Sequence, residues 1–234
     1  MLFRSGVKVV FEVRPELMEL FSCFKNITLI ARGEKYEQID FQVPLQSLPL
    51  IFDEQISTIS NANKYLDVSD QLVKEWALRL DLKKDRLNIG VATFMNPEHI
   101  NSPIAKKIMP LANLEPLLQK ANLFVIQKSI SEADTQFLEE HPEINDLGNQ
   151  IKSFADSAAI IENMDLIISV DTSLAHLAGA LEKRVLILLP YSADWRWFLD
   201  LEKTPWYSSA KLFRQSSLGI WDDPISSVMQ EIMP

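Results

Sequence analysis

DLIISVDTSLAHLAGALEKRVLILL, residues 165–189, decides the fold class. Residues 165–170 form an almost pure Ile/Leu/Val run, long enough for a strand and too short for a helix. Asp171 and Thr172 then interrupt it with residue types that start helices. Over residues 172–181, Leu174, Leu177, Ala178 and Leu181 fall on one helical face. A second apolar run, residues 185–189, follows after one short polar turn. Strand, helix and strand in so few residues is a βαβ unit. Continuous apolar strands belong to a parallel sheet covered on both faces.

The same alternation extends outward. Residues 87–93 and 122–127 read as strands, and residues 111–119 as a helix. Ser153 and Asp156 carry a capping-box pattern ahead of a helix with Phe154, Ala158 and Ile161 on one side. Residues 211–214 suggest a last strand, and Asp222 or Asp223 caps a terminal helix. The first half is shorter in every element. Residues 7–13, 27–31 and 41–45 read as strands, Pro15 opens a short helix, and Ser69 precedes a helix through Val73, Trp76 and Leu80. Lys83, Lys84 and Asp85 form a polar hinge. The expected division is residues 1–84, residues 85–221, and a helix at 222–234 packing back on the first domain. Right-handed crossovers make such α/β segments doubly wound and Rossmann-like.

Composition narrows the function. The 234 residues are 47% hydrophobic and 24% charged, ordinary for a globular chain. The formal charge of −9 argues against a general nucleic-acid binder. The one cysteine, Cys23, cannot pair internally, which fits a reducing cytoplasm. No apolar run approaches the length of a membrane span, and no secretory signal is visible. Six glycines leave little room for a glycine-rich phosphate loop.

In an open α/β sheet, ligands bind beyond the carboxyl ends of the strands. Asp171, Thr172 and Ser173 stand at such an end and open a helix, whose unpaired N–H groups and positive dipole end suit a phosphate. Thr172, His176 and Gly179 share the helix face opposite the leucines, where small residues around one imidazole would let a ligand approach closely. Thr172 would also serve as a plain N-cap, and an imidazole on an outer helix face often meets only water. After the next strand come Tyr191, Asp194 and Trp195, candidates to stack on a base or sugar and to accept hydroxyl hydrogen bonds. Trp197 and Phe198 read as core packing.

The run SFADSAAIIENMDLIISVDTSLAHLAGALEKRVLILLPYSADWRWFLD, residues 153–200, followed by PWY and LFRQ, resembles one family. It is the glycosyltransferase-like C-terminal region of bacterial tetratricopeptide-repeat proteins, related to glycosyltransferase family nine, the lipopolysaccharide heptosyltransferases. VKVVFEVRPEL, IARGE and PLQSLPLIF upstream resemble the N-terminal half of that region, so the likeness covers nearly the whole chain.

The resemblance implies a GT-B fold of two Rossmann-like domains around a cleft, here with the N-terminal one truncated. It implies a nucleotide-diphosphate sugar as donor, held by Asp171, Thr172 and the following N–H groups with His176 beside them, and neither metal nor cofactor. Asn96 and His99 in MNPEH, and Lys128 in a QK pair at a strand end, take positions of cleft residues. Two features depart from the family. The usual first strand and glycine-rich loop, with the aspartate expected to act as base, are missing. INSPIAKKIMPL also replaces a basic stretch, with Lys106 and Lys107 but no arginine. No general base is therefore assignable. The expected activity is sugar transfer to an acceptor hydroxyl, on a saccharide, lipid-linked sugar or protein, with inversion. The alternatives are a non-catalytic binding or assembly module, or a GT-B nucleotide-sugar epimerase. A homodimer could supply the strand absent from the N-terminal sheet.

Overall fold

The computed structural model describes residues 7–36, 38–59, 64–93, 108–199 and 201–232. Among the described residues eight strands and seven α-helices run in chain order. The strands are β1 (Val9–Val13), β2 (Ile27–Ala31), β3 (Leu87–Ala92), β4 (Ala121–Val125), β5 (Asn145–Asp146), β6 (Leu166–Val170), β7 (Val185–Leu189) and β8 (Ala210–Arg214). The helices are α1 (Met18–Phe21), α2 (Leu48–Ile51), α3 (Asp70–Arg79), α4 (Glu132–Glu140), α5 (Phe154–Glu162), α6 (Ser173–Ala180) and α7 (Asp222–Ile232).

β3 to β8 form one parallel sheet in the order β5-β4-β3-β6-β7-β8. The chain winds outward from β3 to β5, returns to β6 beside β3, and winds the other way. This is the doubly wound arrangement, and its direction reverses between β3 and β6. The longer strands of this sheet feed two cores by alternation. Ile167, Val185, Ile187 and Leu189 face α5 and α6, whereas Leu166, Ile168, Leu186 and Leu188 face the other layer. That second layer holds the 3-10 helix Leu111–Leu117, α4 and α7. Gly90 sits where a Cβ would stand 2.8 Å from Ile167 Cδ1, so the β3–β6 contact needs its missing side chain.

At the opposite, amino edge, three asparagines pin the chain that enters β3. Asn122 Nδ2 donates to the Asp81 carbonyl at 2.8 Å and to Asn88 Oδ1 at 3.0 Å. Asn88 Nδ2 donates to the Lys83 carbonyl at 2.9 Å, and Asn145 Nδ2 reaches Asn122 Oδ1 at 3.2 Å. The polar hinge read from the sequence is thus tied down by buried side-chain amides.

β1 and β2 pair in parallel as a separate two-stranded sheet. The first half nevertheless shares a core with the second. Leu20, Leu66, Trp76 and Leu80 join Ile160, Ile161 and Leu177 in one buried cluster. α3 packs on α5, and Trp76, fully buried, donates from Nε1 to Asp156 Oδ1 at 3.0 Å. Asp156 also completes the capping box read from the sequence, accepting from Ser153 N while Ser153 Oγ accepts from Asp156 N.

Some expectations are corrected. No strand forms over residues 41–45: Pro44 offers no ladder N–H and leads into the 3-10 turn Leu45–Ser47, leaving Phe41 95% exposed. The helix read over residues 111–119 is present as a 3-10 helix, Leu111–Leu117, with Pro116 inside. The terminal helix α7, expected to pack back on the first domain, is seated by Ile225, Val228 and Met229 on the large sheet beside β8. α4 and β5 escape a reading by apolar runs, since α4 is mostly polar and announced only by Ser131, whose side chain accepts from Asp134 N.

Candidate functional site

The carboxyl ends of all six strands lie on one edge, and the crevice of a doubly wound sheet opens where the winding reverses. Here that point lies between Thr93, after β3, and Asp171, after β6. Gln127 Oε1, after β4, accepts from Thr93 N at 2.6 Å and fixes this edge from one side. Thr93 carbonyl accepts from Met109 N at 3.1 Å.

On the other side of the crevice stands the turn into α6. Thr172 is in extended backbone and its Oγ1 accepts from Leu174 N at 3.3 Å, the N-cap geometry. A second contact, 3.1 Å to Ser169 Oγ, fixes the hydroxyl against the buried end of β6. Asp171 is buried, 4% exposed. Its Oδ1 lies 3.9 Å from Nε2 of His176, one turn further along. Ser173 is exposed at the open end of the helix.

Two aromatic residues, Trp197 and Tyr207, pack against the His176 ring. It stacks on Trp197 with centroids 5.1 Å apart and planes at 15°. Its Nδ1 is 2.9 Å from the Tyr207 hydroxyl, and the Tyr207 ring lies tilted at 5.8 Å. Burial pushes the Tyr207 phenol far above its ordinary range, with Tyr65 beside it acting in the same direction. That hydroxyl stays protonated.

Gly179 corrects the sequence reading. The close approach it permits is made by Tyr207 of the same chain, whose Cγ would lie 2.3 Å from a Cβ at that position. The glycine therefore serves the packing of the phenol ring and faces no open cleft. Sequence reasoning gave Tyr207 no role of its own, because nothing in the spacing places PWY against α6.

The segment after β7 is built as a braced loop. Asp194 caps a short 3-10 turn, accepts from Arg196 N at 3.2 Å and pairs with the Arg196 guanidinium at 3.0 Å. Trp197 is fully buried under His176, while Trp195 is 76% and Tyr191 57% exposed. Phe198 adopts φ 54° and ψ −175°, a backbone region that L residues avoid. Arg214, at the end of β8, donates to the carbonyls of Trp197 at 3.3 Å and Phe198 at 2.6 Å. Asp194 and Trp195 thus stand on the same edge as α6; Trp197 is core as expected, whereas Phe198 is half-buried and belongs to neither core cluster. Lys128 is exposed after β4, with Nζ 3.4 Å from the Lys152 carbonyl. Asn96, His99, Lys106 and Lys107 lie outside the described residues. Among the described residues no group of three His, Cys, Asp or Glu side chains is placed to hold a metal ion, and no helix is long and apolar enough to cross a membrane.

Residues 149–217 match the model of glycosyltransferase family 9 (heptosyltransferase). The match runs from the capping box of α5 through α6 and the braced loop to the end of β8, and so contains every residue of the site around His176. Among solved structures, the glycosyl transferase family 9 protein from Veillonella parvula is similar with a TM-score of 0.54 and 14% identity, over 86% of this chain and 56% of that one. E. coli ADP-heptose lps heptosyltransferase II aligns with a TM-score of 0.49 and 18% identity, over 71% of this chain and 51% of that one. E. coli heptosyltransferase WaaC with ADP aligns with a TM-score of 0.47 and 14% identity, over 86% and 59%. The chain spans about half the length of these structures. No curated protein matches it. The fold is mixed α/β with parallel sheets and is structurally similar to the GT-B glycosyltransferases. Neither kind of match bears on tetratricopeptide repeats.

Proposed function

We propose that this chain is a glycosyltransferase-like protein that binds the diphosphate of a nucleotide sugar at the start of α6. The observation that carries this reading is the coincidence of two independent facts. The family 9 match covers residues 149–217, and within it Asp171, Thr172 and His176 converge at the switch point of a doubly wound sheet. Thr172 and the first amides of α6 supply donors, and the helix dipole favours negative charge there. Trp195 and Tyr191, exposed on the adjacent loop, offer faces for a base or sugar.

In an active protein, the oxygen of an acceptor hydroxyl attacks the anomeric carbon and the bond from that carbon to the diphosphate oxygen breaks. The electron pair leaves with the diphosphate, and the acceptor proton passes to a base. Attack opposite the leaving group inverts the anomeric centre. Stabilising the developing charge on the diphosphate is the part assigned to α6 and His176.

A melting-point screen against ADP, UDP, GDP and CDP tests the reading, since a ligand bound only by the folded chain raises its stability. One nucleotide should raise the melting point, and Thr172→Ala and His176→Ala should each reduce that rise. No shift with any of the four contradicts the reading. A shift without release of sugar from the matching nucleotide sugar identifies a binding module.

A further inference from the structure

We propose that the cavity between the start of the 3-10 helix Leu111–Leu117 and the start of α7 is a saccharide subsite, which takes an uncharged sugar ring. The inference rests on the nucleotide-sugar reading and gives the neutral part of that chemistry a place of its own. The cavity holds about 400 Å³, within the range of small-molecule sites.

Its position follows from the chain. One wall is the segment entering the 3-10 helix, where Met109 N is bonded to the Thr93 carbonyl just beyond β3. The other is the turn between β8 and α7, where Ile220 N donates to the Ser217 carbonyl and Gly219 stands at φ 81°. Both walls stand at the carboxyl ends of strands, the edge at which β6 turns into α6. The cavity belongs to the layer opposite α6, and β8 is two strand spacings, about 10 Å, from β6. Gln215, 2% exposed, joins the two places. Its Oε1 accepts from Gly219 N at 3.2 Å and from Tyr191 N at 3.0 Å, at the head of the loop that carries Asp194 and Trp195.

The lining selects the ligand. Pro110, Leu218 and Ile220 present apolar surface, the last two 54% and 46% exposed. Asn113 and Asp222 stand among them, and neither side chain has a hydrogen-bond or ion-pair partner among the described residues. An amide both donates and accepts, whereas a carboxylate only accepts. A sugar ring carries the matching set, with C–H groups for the apolar wall and hydroxyls that donate to Asp222 and exchange hydrogen bonds with Asn113. A phosphate does not fit. Among the described residues no Lys or Arg lines the cavity, and the Asp222 carboxylate repels an anion. Charge thus sorts the two ends of the edge: the diphosphate belongs at the start of α6, and a neutral ring at the start of α7.

Amide spectra of the nitrogen-15-labelled chain, without nucleotide, test this with glucose, mannose and N-acetylglucosamine as probes up to their solubility. At least one sugar should move the amides of Asn113, Gly219 and Asp222 with saturation. Asn113→Ala and Asp222→Ala should each weaken that sugar about fivefold, the scale of one hydrogen bond, with the rest of the spectrum unchanged. Glucose 1-phosphate should bind there more weakly than glucose. The proposal is overturned if no sugar saturates these amides, if the sugar moves only other residues, if both variants bind it unchanged, or if the phosphorylated sugar binds as tightly. The source of the ring is read by adding the nucleoside diphosphate that raises the melting point, and then its nucleotide sugar. Displacement of the free sugar by the nucleotide sugar alone identifies the donor's ring, and a free sugar that stays bound beside it identifies the acceptor's; either result supports the subsite. The first titration contains no nucleotide, so failure of the nucleotide reading and failure of the subsite give separate results.

Discussion

The ring of Tyr207 fills the space that Gly179 leaves on α6, with its Cγ 2.3 Å from the position a Cβ would take. That single contact ties the segment before β8 to the helix that carries His176. It turns a small residue, which by sequence invites a ligand, into a packing surface for an aromatic group. Gly179→Ala should therefore destabilise the chain by about 1–3 kcal/mol, the scale of overpacking in a close-packed site. It should also withdraw the phenol from Nδ1 of His176. Urea unfolding at neutral pH measures the first effect, and an unchanged midpoint would contradict the packing described.

Thr172 supplies a cap to α6 as well as a hydroxyl to the crevice. Thr172→Ala should cost about 1 kcal/mol through loss of the cap alone. Thr172→Ser, which keeps the oxygen, should restore most of that stability. Equal stability of the two variants would show that the capping hydrogen bond contributes nothing.

The Asp156 carboxyl links the two halves through Trp76. Burial works to raise its pKa, but hydrogen bonds from Trp76 and from the N–H groups of Lys152 and Ser153 outweigh burial and hold it below the ordinary carboxylate range. Its folded pKa thus lies below its unfolded one. The stability it adds is complete above the unfolded pKa, near 4, and is lost as pH falls through the folded value. The stability gap between the unaltered chain and Asp156→Asn should be widest at neutral pH and close progressively below about pH 4. Urea midpoints across that range would refute this if the gap stayed constant.

Phe198 sits at φ 54° and ψ −175°, a conformation that costs of order 1–3 kcal/mol and persists only when its surroundings impose it. Arg214 imposes it through the carbonyls of Trp197 and Phe198. Arg214→Met should speed amide exchange across residues 197–199, and Phe198→Gly should relieve part of that loss by removing the strain. Unaltered exchange in Arg214→Met would assign the bracing elsewhere.

Most of the large sheet was legible because its strands are buried on both faces and read as unbroken apolar runs, as in residues 166–170 and 185–189. The capping box of α5 and the helix start at Thr172 were legible because they depend on residues a few positions apart. The environment of His176 was not. Its neighbours Trp197 and Tyr207 lie 21 and 31 residues away in the chain, and only the register of β7 and β8 brings them together. The third strand expected at residues 41–45 failed for the opposite reason. Its alternating pattern was present, but Pro44 removed a ladder donor and no neighbour paired with it.

We propose that the diphosphate of a nucleotide binds where β6 turns into α6. Titrating the nitrogen-15-labelled chain with the nucleoside diphosphate that raises its melting point tests the place as well as the event. The amides of Ser173, Leu174 and Ala175 and the ring of His176 should move most, with saturation. Saturating changes confined to other parts of the chain, with these four signals unmoved, would contradict it.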